Sequence, residues 1–154
     1  MNKSKNILLN IPHLSQYRDI FKTVNAHRAC GMTCVKMILD YHKIDSDSLE
    51  TLVGKYIDDI NAYGPSGWKH DFFVELLNSF GLQSHREEKM TDDSVESILK
   101  SISQGNPVIV SVEQRLFDKK LFHMVLIVGV KLDEKGDLYP PILDQVAAMG
   151  LREV

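Results

Sequence analysis

The stretch His27 to Leu39, HRACGMTCVKMIL, decides how this chain folds. Met32, Val35, Ile38 and Leu39 recur at helical spacing, and Cys34 and Tyr41 widen the stripe. So broad an apolar surface predicts a helix over 31–42 packed on more than one side. Cys30 stands at or just before its first turn, where unpaired N–H groups and the macrodipole favour negative charge. Three readings compete for it: a reactive thiolate, a metal ligand, or a small core residue, free cysteine being among the most buried types. Gly31 leaves room for a substrate backbone beside the sulfur.

Working outward, Ile7 to Leu14 reads as an extended lead-in and Gln16 to Ala29 mainly as loop. Downstream, Ser46 or Asp47 caps a short helix through Val53. NAYGPSGW, Asn61 to Trp68, is turn chemistry beside an aromatic anchor. A helix over 69–80 carries Phe73, Leu76, Leu77 and Phe80, with Gly81 where a C-terminal cap belongs. Another starts after Thr91, carries Val95, Ile98, Leu99 and Ile102, and stops at Gly105. The pattern then changes. PVIVSVE (107–113) and HMVLIVGVK (123–131) are short, β-branched and nearly continuously apolar, and read as buried strands. DEKGD (133–137) is a hairpin-like turn, and a third strand is expected to reach Asp144. Helices followed by a meander of strands predict an α+β fold with a central helix against an antiparallel sheet.

The 154 residues fit one domain, 1–154. With 44% hydrophobic and 25% charged residues the chain is globular rather than disordered. The net charge of −3 and the absence of a basic block argue against a nucleic-acid partner. No apolar run is long enough for a membrane segment. The N-terminus lacks a long apolar core and a small-residue cleavage site, so no signal peptide is read there. Two cysteines four apart on one helix are poorly placed for a disulfide, and reduced thiols suit a cytoplasmic setting.

Six histidines are available as a base for Cys30. His123 is the leading candidate, because packing alone poorly explains a titratable residue opening a core strand. An imidazole needs a third group to fix its tautomer and orientation. In an antiparallel pair the start of one strand lies beside the end of the next, which points to Asp144, with Asp133 and Asp137 as alternatives. Gln16 precedes Cys30 by a loop. Its side-chain amide is a candidate donor to an oxyanion, beside the Cys30 N–H.

Gln16, ACG (29–31), MTCVKMILDY (32–41), GWKHDFFVELLNSFGL (67–82), GNPVIVSV (105–112) and FHMVLIVGV (122–130) together resemble the papain-like cysteine peptidases. They are most similar to the bacteriocin-leader-processing (double-glycine) branch and its stand-alone bacterial relatives, in order along most of the chain. The resemblance implies a papain-like fold and a peptidase acting on peptide or protein substrates without metal or organic cofactor. It also implies a triad of Cys30, His123 and Asp144, with Gln16 completing the oxyanion hole.

A zinc site built from His27, Cys30, Cys34 and His42 meets ligand spacing superficially, but Cys34 and His42 lie well along the helix and no compact fourth corner follows. An acyltransferase or transglutaminase-like enzyme keeps the same thioester and changes only the acceptor. A catalytically inactive, peptidase-like binding module keeps only the fold.

Overall fold

Helix α1, Cys30–Tyr41, is the centre of the computed structural model, in which residues 6–20, 25–88, 91–116, 119–132, 138–139, 141–143 and 151–153 are described. The residues from Gly31 to Val35 and Met37 to Leu39 are all buried. Lys36 and Asp40 form an i,i+4 ion pair at 2.8 Å, and the Lys36 ammonium also reaches Ser46 Oγ at 2.9 Å. Burial of each large apolar side chain of α1 contributes about 1.5–3 kcal/mol. The helix is therefore held by packing on several sides, as its wide apolar stripe predicts.

Helix α2, Leu49–Tyr56, is capped by Ser48, whose Oγ accepts from the Thr51 N–H. The cap falls one residue beyond the Ser46 or Asp47 expected, and the helix runs three residues past Val53. NAYGPSGW closes as a hairpin of β2, Tyr63–Gly64, and β3, Gly67–Trp68. Helix α3, His70–Ser79, and helix α4, Asp92–Ser103, follow as predicted. At the start of α4 the Thr91 N–H donates to Ser94 Oγ at 3.0 Å. Ile98, Leu99 and Ile102 turn inward, whereas Val95 is exposed and leaves the expected apolar face.

α1, α3 and α4 all end in the same double hydrogen-bonded turn, which requires a left-handed residue. Gly81 (φ 89°) and Gly105 (φ 83°) supply it after α3 and α4. After α1 it is Lys43, at φ 56°, and Ile44 N–H bonds back to Leu39 O at 2.9 Å.

The principal sheet pairs β4, Val108–Leu116, antiparallel with β5, Lys119–Ile127. β8, Pro141–Leu143, lies on the other side of β5, and β9, Leu151–Glu153, beyond it, giving the order β4-β5-β8-β9. The proline opens β8, a position where the missing N–H is tolerated. A second sheet joins β1, Ile7–Leu8, to β6, Gly129–Leu132, and β7, Leu138–Tyr139. Two expectations are corrected here. β4 runs on through the polar Gln114 and Arg115 to Leu116 and β5 starts already at Lys119, because each satisfies the other's backbone. The apolar run 123–131 breaks at Val128, whose carbonyl accepts from Leu9 N–H at 2.7 Å, and β6 then pairs with β1 instead of β4. The DEKGD turn lies outside the described residues.

Strand alternation gives β5 two distinct faces. Met124, Leu126 and Val128 belong to the core around α1, while Val125 and Ile127 pack with Ile102 of α4.

Candidate active site

The site is built on the uncapped start of α1. Ala29 is its N-cap residue and offers no side-chain acceptor. A Ser, Thr or Asp there would contribute about 0.5–2 kcal/mol by engaging first-turn amides. Ala29 forgoes that and leaves the donors of Cys30 and Gly31 without a capping side chain. Thr33 does not compete for them: its N–H and its hydroxyl both donate to Ala29 O at 2.9 Å. Cys30 is half-buried and Cys34 fully buried, and both are free thiols.

Gly31 sets how closely this turn meets the sheet. A Cβ built on it would lie 2.5 Å from the Phe73 ring and 2.8 Å from Met124 Sδ. The first turn of α1 and the His123–Met124 segment of β5 therefore lie at the same level. Both His123 and Met124 are buried. Alternation puts the His123 side chain on the face opposite Met124, and its cross-strand partner Val112 packs with the α4 cluster.

Gln16 is 2% exposed. Its Nε2 donates to Ala26 O at 2.8 Å, tying the lead-in loop to the 3-10 turn Ala26–Arg28 that feeds α1. The Oε1 is buried without a partner among the described residues. A primary amide nitrogen carries two hydrogens, so one donor of Gln16 is committed to Ala26.

On the other side of Cys30 the hairpin packs down through Trp68, whose Nε1 donates to Arg28 O at 2.6 Å. The Arg28 guanidinium lies 5.4 Å from the Tyr63 ring centroid. Burial raises the Tyr63 pKa above its ordinary value; the nearby Arg28 cation opposes that and Cys30 adds to it.

Over residues 8–140 the sequence matches the Peptidase_C39 like family. The chain belongs to that family. No curated protein and no solved structure matches it. The mixed helices and small antiparallel sheets are compatible with a peptidase-like fold of the Peptidase_C39 like kind, and peptides are the substrates that membership implies. Among the described residues no helix is long and apolar enough to cross a membrane.

Of the four residues predicted for this Peptidase_C39 like chain, Gln16 is tied by its amide to Ala26 O in the turn that precedes α1, Cys30 opens α1, and His123 lies on the strand packed against that helix. Asp144, and the alternatives Asp133 and Asp137, fall outside the described residues. The sequence favours His123 as the base and does not single out His70. His70 opens α3, one turn before Phe73, and its Nε2 shares a 2.8 Å hydrogen bond with Ser111 Oγ. Ser111 is the cross-strand partner of Met124, so His70 stands on the α1 face of the sheet. Burial, then the Arg86 cation, lowers its pKa, while Asp71 opposes them. Its position three residues before Phe73 was the available signal. Arg28 and Tyr63 were also passed over, since nothing local joins residues 35 apart.

Proposed function

We propose that this chain is a single-domain, papain-like cysteine peptidase, with Cys30 as nucleophile, His123 as base, Asp144 as the group orienting His123, and Gln16 as an oxyanion donor. The observation that carries the reading is the uncapped, half-buried Cys30 terminus packed against β5 at the level of the His123–Met124 segment. The Cys30 sulfur attacks a peptide carbonyl carbon while the imidazole takes the thiol proton. The Cys30 N–H and the second N–H of Gln16 bind the developing oxyanion. Collapse of the tetrahedral species breaks the C–N bond, the imidazolium gives its proton to the leaving amine, and water hydrolyses the acyl thioester.

A second reading of the base rests on His70. It occupies the Met124 face, and its neighbour Phe73 touches Gly31, whereas alternation carries His123 to the other face. Iodoacetamide labelling of Cys30 across pH tests both. Fast labelling well below pH 8 that disappears in His123→Ala and persists in His70→Ala supports the first reading. The reverse pattern supports His70. Slow labelling with an ordinary thiol profile in the unmutated protein removes the peptidase reading and leaves a binding module. Product analysis with and without added amines separates hydrolysis from acyl transfer.

A further inference from the structure

We infer that Arg28, seated against Tyr63 beside Cys30, is a specificity-determining site that receives a carboxylate of the substrate. The inference rests on the reading of Cys30 as the nucleophile. Arg28 lies two residues ahead of Cys30 in the 3-10 turn that feeds α1, and Trp68 holds its carbonyl at 2.6 Å, so its backbone is fixed relative to the sulfur. The guanidinium is half-buried, and its only hydrogen-bond partner among the described residues is the neutral Asn25 Oδ1. Its Nε is shut off from water without an acceptor. No carboxylate among the described residues is paired with it.

The other two arginines whose side chains are described are treated differently. Arg18 is paired with Asp19 and Arg86 with Asp71 and Glu88, although both are more open to water than a core group. A guanidinium carries five donors in a planar fork suited to a carboxylate. Sinking it against an aromatic face with one neutral partner costs solvation that a face contact of about 0.5–1 kcal/mol only partly offsets. The missing partner is an anion arriving from outside, and Cys30 is where a peptide arrives. A peptide brings carboxylates from two sources, an acidic side chain and its C-terminus.

Two alkylating reagents of opposite charge character test this directly. Iodoacetate and iodoacetamide attack the same sulfur and expel the same iodide, so the thiolate fraction cancels in the ratio of their rates. The reference is the ratio for the urea-unfolded chain, read at Cys30 by peptide mass spectrometry, which separates it from buried Cys34. In the folded protein the ratio of iodoacetate to iodoacetamide is expected to exceed the reference about tenfold, the scale of one charge-assisted hydrogen bond. It should fall to the reference in Arg28→Met and be largely retained in Arg28→Lys. Should Arg28→Met fail to fold, raising salt from low to molar in the unmutated protein should collapse the ratio by screening. A folded-state ratio equal to the reference overturns the inference, even where fast iodoacetamide labelling upholds the nucleophile. A raised ratio with slow labelling by both reagents upholds the anion site and removes the peptidase reading. Peptides differing only by Glu→Gln or by C-terminal amidation then identify the source: whichever change removes the Arg28-dependent preference names it, and loss with neither overturns the inference.

Discussion

Gly31 is packed so closely on Met124 that a single methyl group on its α-carbon would meet the Met124 sulfur at 2.8 Å. The Phe73 ring closes the other side at 2.5 Å. Two effects oppose each other in Gly31→Ala. Helix propensity favours alanine by about 1 kcal/mol. Overpacking a buried contact costs about 1–3 kcal/mol. The ring is buried, so packing wins and a net loss of up to about 2 kcal/mol is expected. Urea midpoints measure it. Shortening Met124 in the same background should recover part of the loss, and a Gly31→Ala protein more stable than its parent would refute the contact.

The histidine that serves Cys30 is open to a rate measurement. Removal of a general base costs about 10²–10⁴-fold. For the proposed triad, His123→Ala should lower the Cys30 alkylation rate at pH 6.5 by up to about 10²-fold, the thiolate fraction of an ordinary cysteine there being about 1%, and leave the rate at pH 9.5 nearly unchanged. An equal loss at both pH values would mean that His123 acts through packing alone.

Trp68 links the hairpin to the 3-10 turn that feeds α1 through Arg28 O. Trp68→Phe keeps the ring in place and deletes the donor. The orphaned carbonyl should cost about 1–3 kcal/mol. Circular dichroism is the suitable probe, since Trp68 is the chain's single tryptophan. A cost within error of zero would show that water replaces the indole donor.

His70 gives a pH dependence of known sign. Its folded-state pKa is depressed, first by burial and then by Arg86. Above the ordinary histidine value both folded and unfolded forms are neutral, and the group contributes its full share. As pH falls through that value the unfolded chain takes up the proton more readily, so stability drops. Urea midpoints at pH 7.5 and 5.0 should therefore diverge less in His70→Gln than in the parent. An unchanged difference would exclude His70 as a contributor.

Lys43 ends α1 in a left-handed conformation that a side chain resists. Lys43→Gly should raise stability by about 0.5–1 kcal/mol, the left-handed penalty outweighing the extra freedom glycine has when unfolded. Thermal melts would show the gain, and a lower midpoint would mean the lysine side chain makes a contact worth more than the strain.

Much of the helical half was legible. Gly81 and Gly105 end α3 and α4 where the sequence puts them, because a left-handed turn advertises itself as glycine. The end of α1 gave no such signal, since Lys43 takes that role without the residue type that marks it. The strands were legible as apolar runs but not in extent. Gln114, Arg115, Lys119 and Lys120 look polar, yet they stand in the β4–β5 ladder because each strand is the other's hydrogen-bond partner. Cys30 could be placed at the mouth of α1 because helix-start chemistry is local, whereas the burial of Gln16 comes with its bond to Ala26, ten residues on. His70 was missed, although it precedes Phe73 by one turn, because its importance comes from Ser111, 41 residues away.

By itself, then, the sequence determined the central helix, the placement of Cys30 at its mouth, and the α+β class, since helix stripes and turn residues act over a few positions. Only the tertiary structure decided which face of β5 carries His123, where the apolar run breaks to feed a second sheet, and that Arg28 lies against Tyr63. Those depend on strand register and on contacts between residues tens of positions apart, where no local preference of the chain can reach.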